Sequence, residues 1–388
     1  MKITINKFLI FISLFYFIFA YERTYEEVID GKAMTFKSSF LVDEDTKIDQ
    51  GSFTSNSLYD ITILVVNDAT LTITPCHNIS KIIQKSNVRN LLQENNFQET
   101  DDYKYGLTST IVAIGQNTKV NIDGITIYVN SDFSNAIMAF NGASVYIKNS
   151  IIITESNYSK GIVAANGAYI EISNDSKFYS KGLFSPCLEV NINKGEIIGT
   201  DINLNSEGKG SPLINNLGDG SVTIFSGTGK ASKSQILIIQ GNNKVSLHKC
   251  EFTCDGKGII EENINENNNI NNGGIVLYKS DENNVNLVDL QLFNSKIKVE
   301  NEDDIPMFSC YNTEADITLE GTEATFKNTF MKAYKTNSNI ETKIFLTINK
   351  TGFNGEINAE EGSKIYLKIE QNLLNNYKIN YNENVELI

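Results

Sequence analysis

The chain has 388 residues, 41% of them hydrophobic and 21% charged, a balance that excludes disorder or a membrane bundle as the main architecture. Lys and Arg number 33 against 47 Asp and Glu, a formal net charge of −14. Such a surface repels polyanions on average, so nucleic acid is not an expected partner.

Residues 1–20 read as a secretory signal peptide: Lys2 and Lys7 give a positive start, Phe8 to Phe19 are apolar apart from Ser13, and Ala20 is a small residue at the cleavage point. The competing reading, a membrane anchor, is disfavoured by length, because a spanning helix needs about 20 apolar residues. No later stretch is long and apolar enough to span, and Tyr381 to Ile388 carries neither a hydrophobic tail nor a retrieval signal. The expected product is secreted, without a membrane anchor. Sequons at Asn78, Asn157, Asn174 and Asn349 are candidate glycosylation sites, although an Asn-rich chain also produces them by chance.

From residue 51 a short pattern returns at a solenoid-like interval. Its unit is an aliphatic pair separated by one polar residue: Val120 and Ile122, Val145 and Ile147, Ile170 and Ile172, Val190 and Ile192, Val222 and Ile224, Val245 and Leu247, Val285 and Leu287, Ile317 and Leu319. Fainter copies stand at Leu71 and Ile73, Ile344 and Leu346, and Ile365 and Leu367. Period-two alternation of β-branched residues predicts a strand with one face inward. An apolar run and a polar corner precede each pair, as in Ile137 to Ala143. A second short strand follows a bend, as in Asn149-Ser150 before Ile151. Asn, Asp and Gly tolerate the left-handed backbone that such a bend needs.

One unit cannot bury its apolar face alone, whereas units stacked about 4.8 Å apart can. The expected fold is all-β, a parallel β-helix solenoid of roughly 11 coils over residues 51–370. An up-and-down sandwich is the rival, and it predicts antiparallel neighbours instead. Residues 21–50 and 371–388 break the pattern and are expected to cap the two ends. Irregular insertions are expected at 76–103, where Ile82, Ile83, Val88, Leu91 and Leu92 match one face of a short helix, and at 261–272, which is too polar to pack.

Cys76, Cys187, Cys250, Cys254 and Cys310 are an odd number, and Cys250 and Cys254 lie too far apart on one extended strand to be bridged. With only His77 and His248 available, zinc lacks a ligand set, so no metal site and no cofactor are expected.

The block Gly106 to Ile172, containing IVAIGQNTKVNIDGITIYV, AIMAFNGASVYIKNSIIIT and GIVAANGAYIEIS, resembles secreted bacterial right-handed β-helix proteins of the adhesin-like or pectin-lyase-like kind. The likeness continues through Ser211 to Leu247 and Gly274 to Lys327. The resemblance implies the fold and a right-handed coil; the adhesin label is likewise only its implication, because a fold does not fix a function.

Polysaccharide lyase chemistry uses an Arg or Lys base beside acids that hold a cation. Outside the leader the only Arg are Arg23 and Arg89, both outside the regular coils. Lys119 and Lys244 face outward but are not expected beside an Asp cluster, and His248 is expected to face solvent without an acidic partner. No catalytic residue is assigned. The candidate glycan contacts are Tyr146 and Tyr169, outward on consecutive coils, with Glu171 beneath Tyr146. The expected function is non-catalytic adhesion or extracellular glycan binding, with a polysaccharide or cell-surface glycan as partner. A divergent polysaccharide lyase or glycoside hydrolase is the alternative.

Overall fold

In the computed structural model, the described residues are 23–29, 32–48, 53–55, 61–74, 81–85, 108–258, 272–279, 287–335 and 340–388. The leader 1–20, Cys76, His77, Asn78, Arg89 and 261–271 lie outside them. The chain winds as a parallel β-solenoid of about 11 turns with almost no helix. Three sheets of 14, 13 and 10 strands form its faces, here called A, B and C. Successive strands along the chain visit A, then B, then C, so every lateral neighbour is one coil away in sequence. All described pairings are parallel except one.

That exception closes one edge. Arg23–Ile29 folds back antiparallel onto Lys32–Val42, the first strand of face A, and supplies partners for backbone groups that would otherwise be open. Coil strands begin within this segment, because Thr46–Ile48 already pairs with Thr70–Ile73 on face B. At the other end a short helix, Gln371–Asn376, leads into Ile379–Tyr381 and Val385–Leu387, which add a last strand to faces A and B.

The aliphatic pairs form the internal column. On face B, Leu71, Val120, Val145, Ile170, Ile197, Val222, Val245, Leu290 and Ile317 are paired rung to rung, and all are 0% exposed. Each such side chain contributes about 1.5–3 kcal/mol relative to an exposed one. Face A is apolar on both sides: Ile111 and Ala113 face the column, whereas Val112, Ile114, Met138, Phe140 and Val163 form a separate buried cluster on its outer aspect. Burial on both sides explains why these strands read as continuous apolar runs.

Two corners show why polar residues recur between strands. At the bend from B to C, Gly124, Asn149, Asn174, Asp201, Ser226, Lys249, Asn294, Gly321 and Lys350 all have φ between 48° and 68°. Six of these nine are Gly, Asn or Asp, the types that enter the left-handed region at least cost. At the bend from C to A, a serine ladder replaces water. The backbone N–H of Ser134, Ser159 and Ser185 donates to the hydroxyl of Ser159, Ser185 and Ser211 at 3.4, 2.9 and 2.8 Å. Each of those hydroxyls donates in turn to a carbonyl of the preceding coil, as from Ser211 to Gly182 at 2.7 Å. Buried polar groups are thereby satisfied along the axis.

Three expectations are corrected. Ile82 and Ile83 lie on a strand, Lys81–Lys85, that pairs with Thr126–Asn130, and not on a helix; so short an apolar run fits either period until a neighbour selects one. Val190 belongs to face A and Ile192 to the following turn; the face B strand of that coil is Glu196–Thr200, with Ile197 inward. Its second inward position is Gly199, where an added Cβ would stand 2.7 Å from Ile202 and 2.8 Å from Ile224, so the aliphatic signature is missing because neighbours fill the space. In the coil after residue 272 the inward pair is Leu290 and Leu292, whereas Leu287 is 44% exposed. The insertion lengthens this coil to 45 residues, counted from Val245 to its partner Leu290.

The described cysteines, Cys187, Cys250, Cys254 and Cys310, are free and buried. Burial pushes the Cys187 and Cys254 thiols up to about 12 and Cys250 to about 11, away from the reactive thiolate.

Candidate functional site

Face B presents its polar side chains outward in three axial rows. Because the register is parallel, rows are read by stepping from rung to rung. The middle row runs Thr72, Asn121, Tyr146, Glu171, and places Glu171 directly beside Tyr146 as expected. Tyr169 stands in the neighbouring row beside Ser144. The rings of Tyr146 and Tyr169 lie 6.0 Å apart at 58°, and the Tyr169 hydroxyl donates to Glu171 Oε2 at 3.0 Å. Burial, then that carboxylate, pushes the Tyr169 hydroxyl up to about 12, so it stays a proton donor and holds Glu171 in place.

Around this pair is a cleft of about 440 Å³ lined by Thr74, Asn121, Ile122, Asp123, Tyr146, Lys148 and Glu171. It has one aromatic wall, carboxylates on either side, one ammonium and an amide. Asp123 is held by Asn149, whose Nδ2 donates to Oδ1 at 2.7 Å, and Asn121 Nδ2 reaches Thr72 Oγ1 at 3.4 Å. A half-buried aromatic face flanked by fixed donors and acceptors suits a flat ligand with one apolar face and a polar rim, the form of a pyranose ring. Lys148, Asp123, Asn121 and Thr74 were absent from the sequence-derived contacts. Each lies within a few rungs of Tyr146, so stepping by 25 residues along the chain finds them.

A second cleft, of about 330 Å³, opens farther along face B. Its walls include Glu196, Asp219, Lys244 and Asp289. Lys244 Nζ lies 3.2 Å from Asp289, and Asp316 follows Asp289 in the same row. The expectation that Lys244 stands apart from acidic residues is therefore corrected. Asp289 is its lateral neighbour across the 45-residue coil. Burial and the Asp289 charge push the Asp316 carboxyl above its ordinary range. The third row carries an aromatic ladder: His248 is sandwiched between Phe225 and Phe293, with ring centroids 4.8 Å apart on both sides. Partial burial between these rings holds the imidazole below its ordinary pKa.

Of the sequons, Asn174 is exposed at a bend, Asn157 and Asn349 are half-buried, and Asn157 Oδ1 accepts the Leu183 N–H at 2.9 Å. Among the described residues, no three or more His, Cys, Asp or Glu side chains converge as metal ligands, and no helix is long and apolar enough to cross a membrane. Comparisons of the chain with protein families, curated proteins and solved structures found no match.

Proposed function

We propose that this solenoid is a secreted, non-catalytic protein of the adhesin-like or pectin-lyase-like kind that binds an extracellular glycan on face B. The observation that carries the reading is the cleft at Tyr146, where one aromatic face meets Glu171, Asp123, Lys148 and Asn121 within about 440 Å³. Tyr146 supplies the stacking surface, and Glu171, oriented by Tyr169, accepts hydroxyl protons. The leader-like residues 1–20 support export. A glycan array followed by titration calorimetry tests the reading. Tyr146→Ala is expected to weaken binding roughly tenfold, the size of one lost stacking contact. Unchanged affinity for every bound glycan would remove the cleft from consideration.

A second reading, a divergent polysaccharide lyase or glycoside hydrolase, draws support from the row Lys244, Asp289, Asp316 and the cleft beside it. The ion pair with Asp289 favours the protonated Lys244 and so opposes its use as a base. Incubation with acidic polysaccharides separates the two readings: new reducing or unsaturated ends, abolished in Lys244→Ala, would replace binding by catalysis.

A further inference from the structure

Outside face B, one group of side chains has a chemistry of its own. On the outer aspect of face A, Val163, Glu189 and Asn215 are successive rungs of the strands Ile162–Ala165, Leu188–Asn191 and Ile214–Asn216. Glu189 is 1% exposed and Lys160, which precedes the first strand, is 6% exposed. Lys160 Nζ lies 2.5 Å from Glu189 Oε1. Asn215 Nδ2 donates to the other carboxylate oxygen, Oε2, at 2.9 Å, and Asn191 Nδ2 donates to Oε1 at 3.2 Å. Asn215 Oδ1 is buried and accepts no hydrogen bond among the described residues.

A buried ion pair is a poor source of stability, because desolvation cancels most of its attraction. The arrangement does suit an amide exchange. Away from water, a lysine and a carboxylate in direct contact can pass a proton between them and leave an amine, which is a nucleophile. The same carboxylate holds the carboxamide of Asn215, so nucleophile, proton carrier and electrophile are assembled before any reaction begins.

We propose that Lys160 and Asn215 form an intramolecular isopeptide bond with Glu189 as the proton carrier. Glu189 takes a proton from the Lys160 ammonium, and Nζ attacks Cγ of Asn215. The new Cγ–Nζ bond forms and the Cγ–Nδ2 bond breaks. Glu189 passes protons from Nζ to the departing Nδ2, which leaves as ammonium, and the carboxylate is restored. One ammonium is released for one amide made, and no oxidant is consumed. The product ties the coil at Ile162–Ala165 to the coil at Ile214–Asn216 across the one between them. It locks the solenoid along its axis, the direction in which pulling would unwind it.

The test is mass spectrometry of the purified protein, intact and after trypsin. The expected result is an intact mass lower by one ammonia, resistance to cleavage after Lys160, and a branched peptide joining Lys160 to Asn215. Glu189→Gln and, independently, Asn215→Ala are expected to restore the full mass and the cleavage. An unmodified mass for the wild-type chain, with ordinary cleavage after Lys160, would overturn the proposal whatever the variants do. A branch at Asn191 would overturn the assignment of Asn215.

Discussion

The coils between residues 108 and 231 and those between 329 and 387 build the same column by different means. In the first region successive face B partners lie 25 residues apart, as from Val145 to Ile170, and each coil has three strands. The interior is aliphatic and the corners are closed by the serine ladder and left-handed Asn, Asp or Gly residues. In the second region Ile344 and its partner Ile365 are 21 residues apart, and face C has ended with Glu323–Thr325. Rings replace the missing strands: Phe330 stacks on Phe353 with centroids 3.8 Å apart, and Phe308 meets Phe330 edge-on at 5.2 Å. A shorter coil has less backbone with which to enclose the same interior, and large aromatic side chains fill the remainder.

The largest expected effect tests this division directly. Phe330→Ala is expected to cost about 3–5 kcal/mol, and because each coil contacts only its neighbours the loss is expected to stay local. Hydrogen exchange read coil by coil checks it: amides in 308–381 lose protection and those in 111–231 keep theirs. Uniform loss along the rod would show that both regions unfold as one unit.

Ser185→Ala probes the other region. The variant leaves the buried N–H of Ser159 without its acceptor, a loss of about 1–3 kcal/mol. Faster exchange confined to the coils beside Ser185 is expected, and no change there would make the ladder decorative. The smallest effect lies near the junction, at Asp316. Its carboxyl is raised in the folded state, so the unfolded chain releases the proton first. Stability is therefore unaffected below the unfolded value and declines as pH rises through the folded one. Asp316→Asn is expected to raise Tm slightly at pH 7 and not at pH 3, and equal shifts at both would point to packing instead of charge.

Much of the first region was legible because its coils are nearly equal in length. Val120, Val145 and Ile170 recur at one interval, so Glu171 falls beside Tyr146 by counting alone. Counting failed at Gly199, where Ile202 and Ile224 supply the volume that the pattern lacked, and at Leu290, which follows an insertion. It also gave no warning of the contact between Lys244 and Asp289.

Alternation along each strand is a local property, since successive side chains point to opposite faces whatever surrounds them. For that reason the sequence by itself determined that the chain forms strands with aliphatic inner faces, bends at Asn, Asp and Gly, and stacks in parallel. Lateral neighbours, by contrast, are a whole coil apart, and coil length here ranges from 21 to 45 residues. Which polar side chains meet, whether Tyr146 with Asp123 and Lys148 or Lys160 with Glu189 and Asn215, was decided only when both ends of every coil were stacked on their partners.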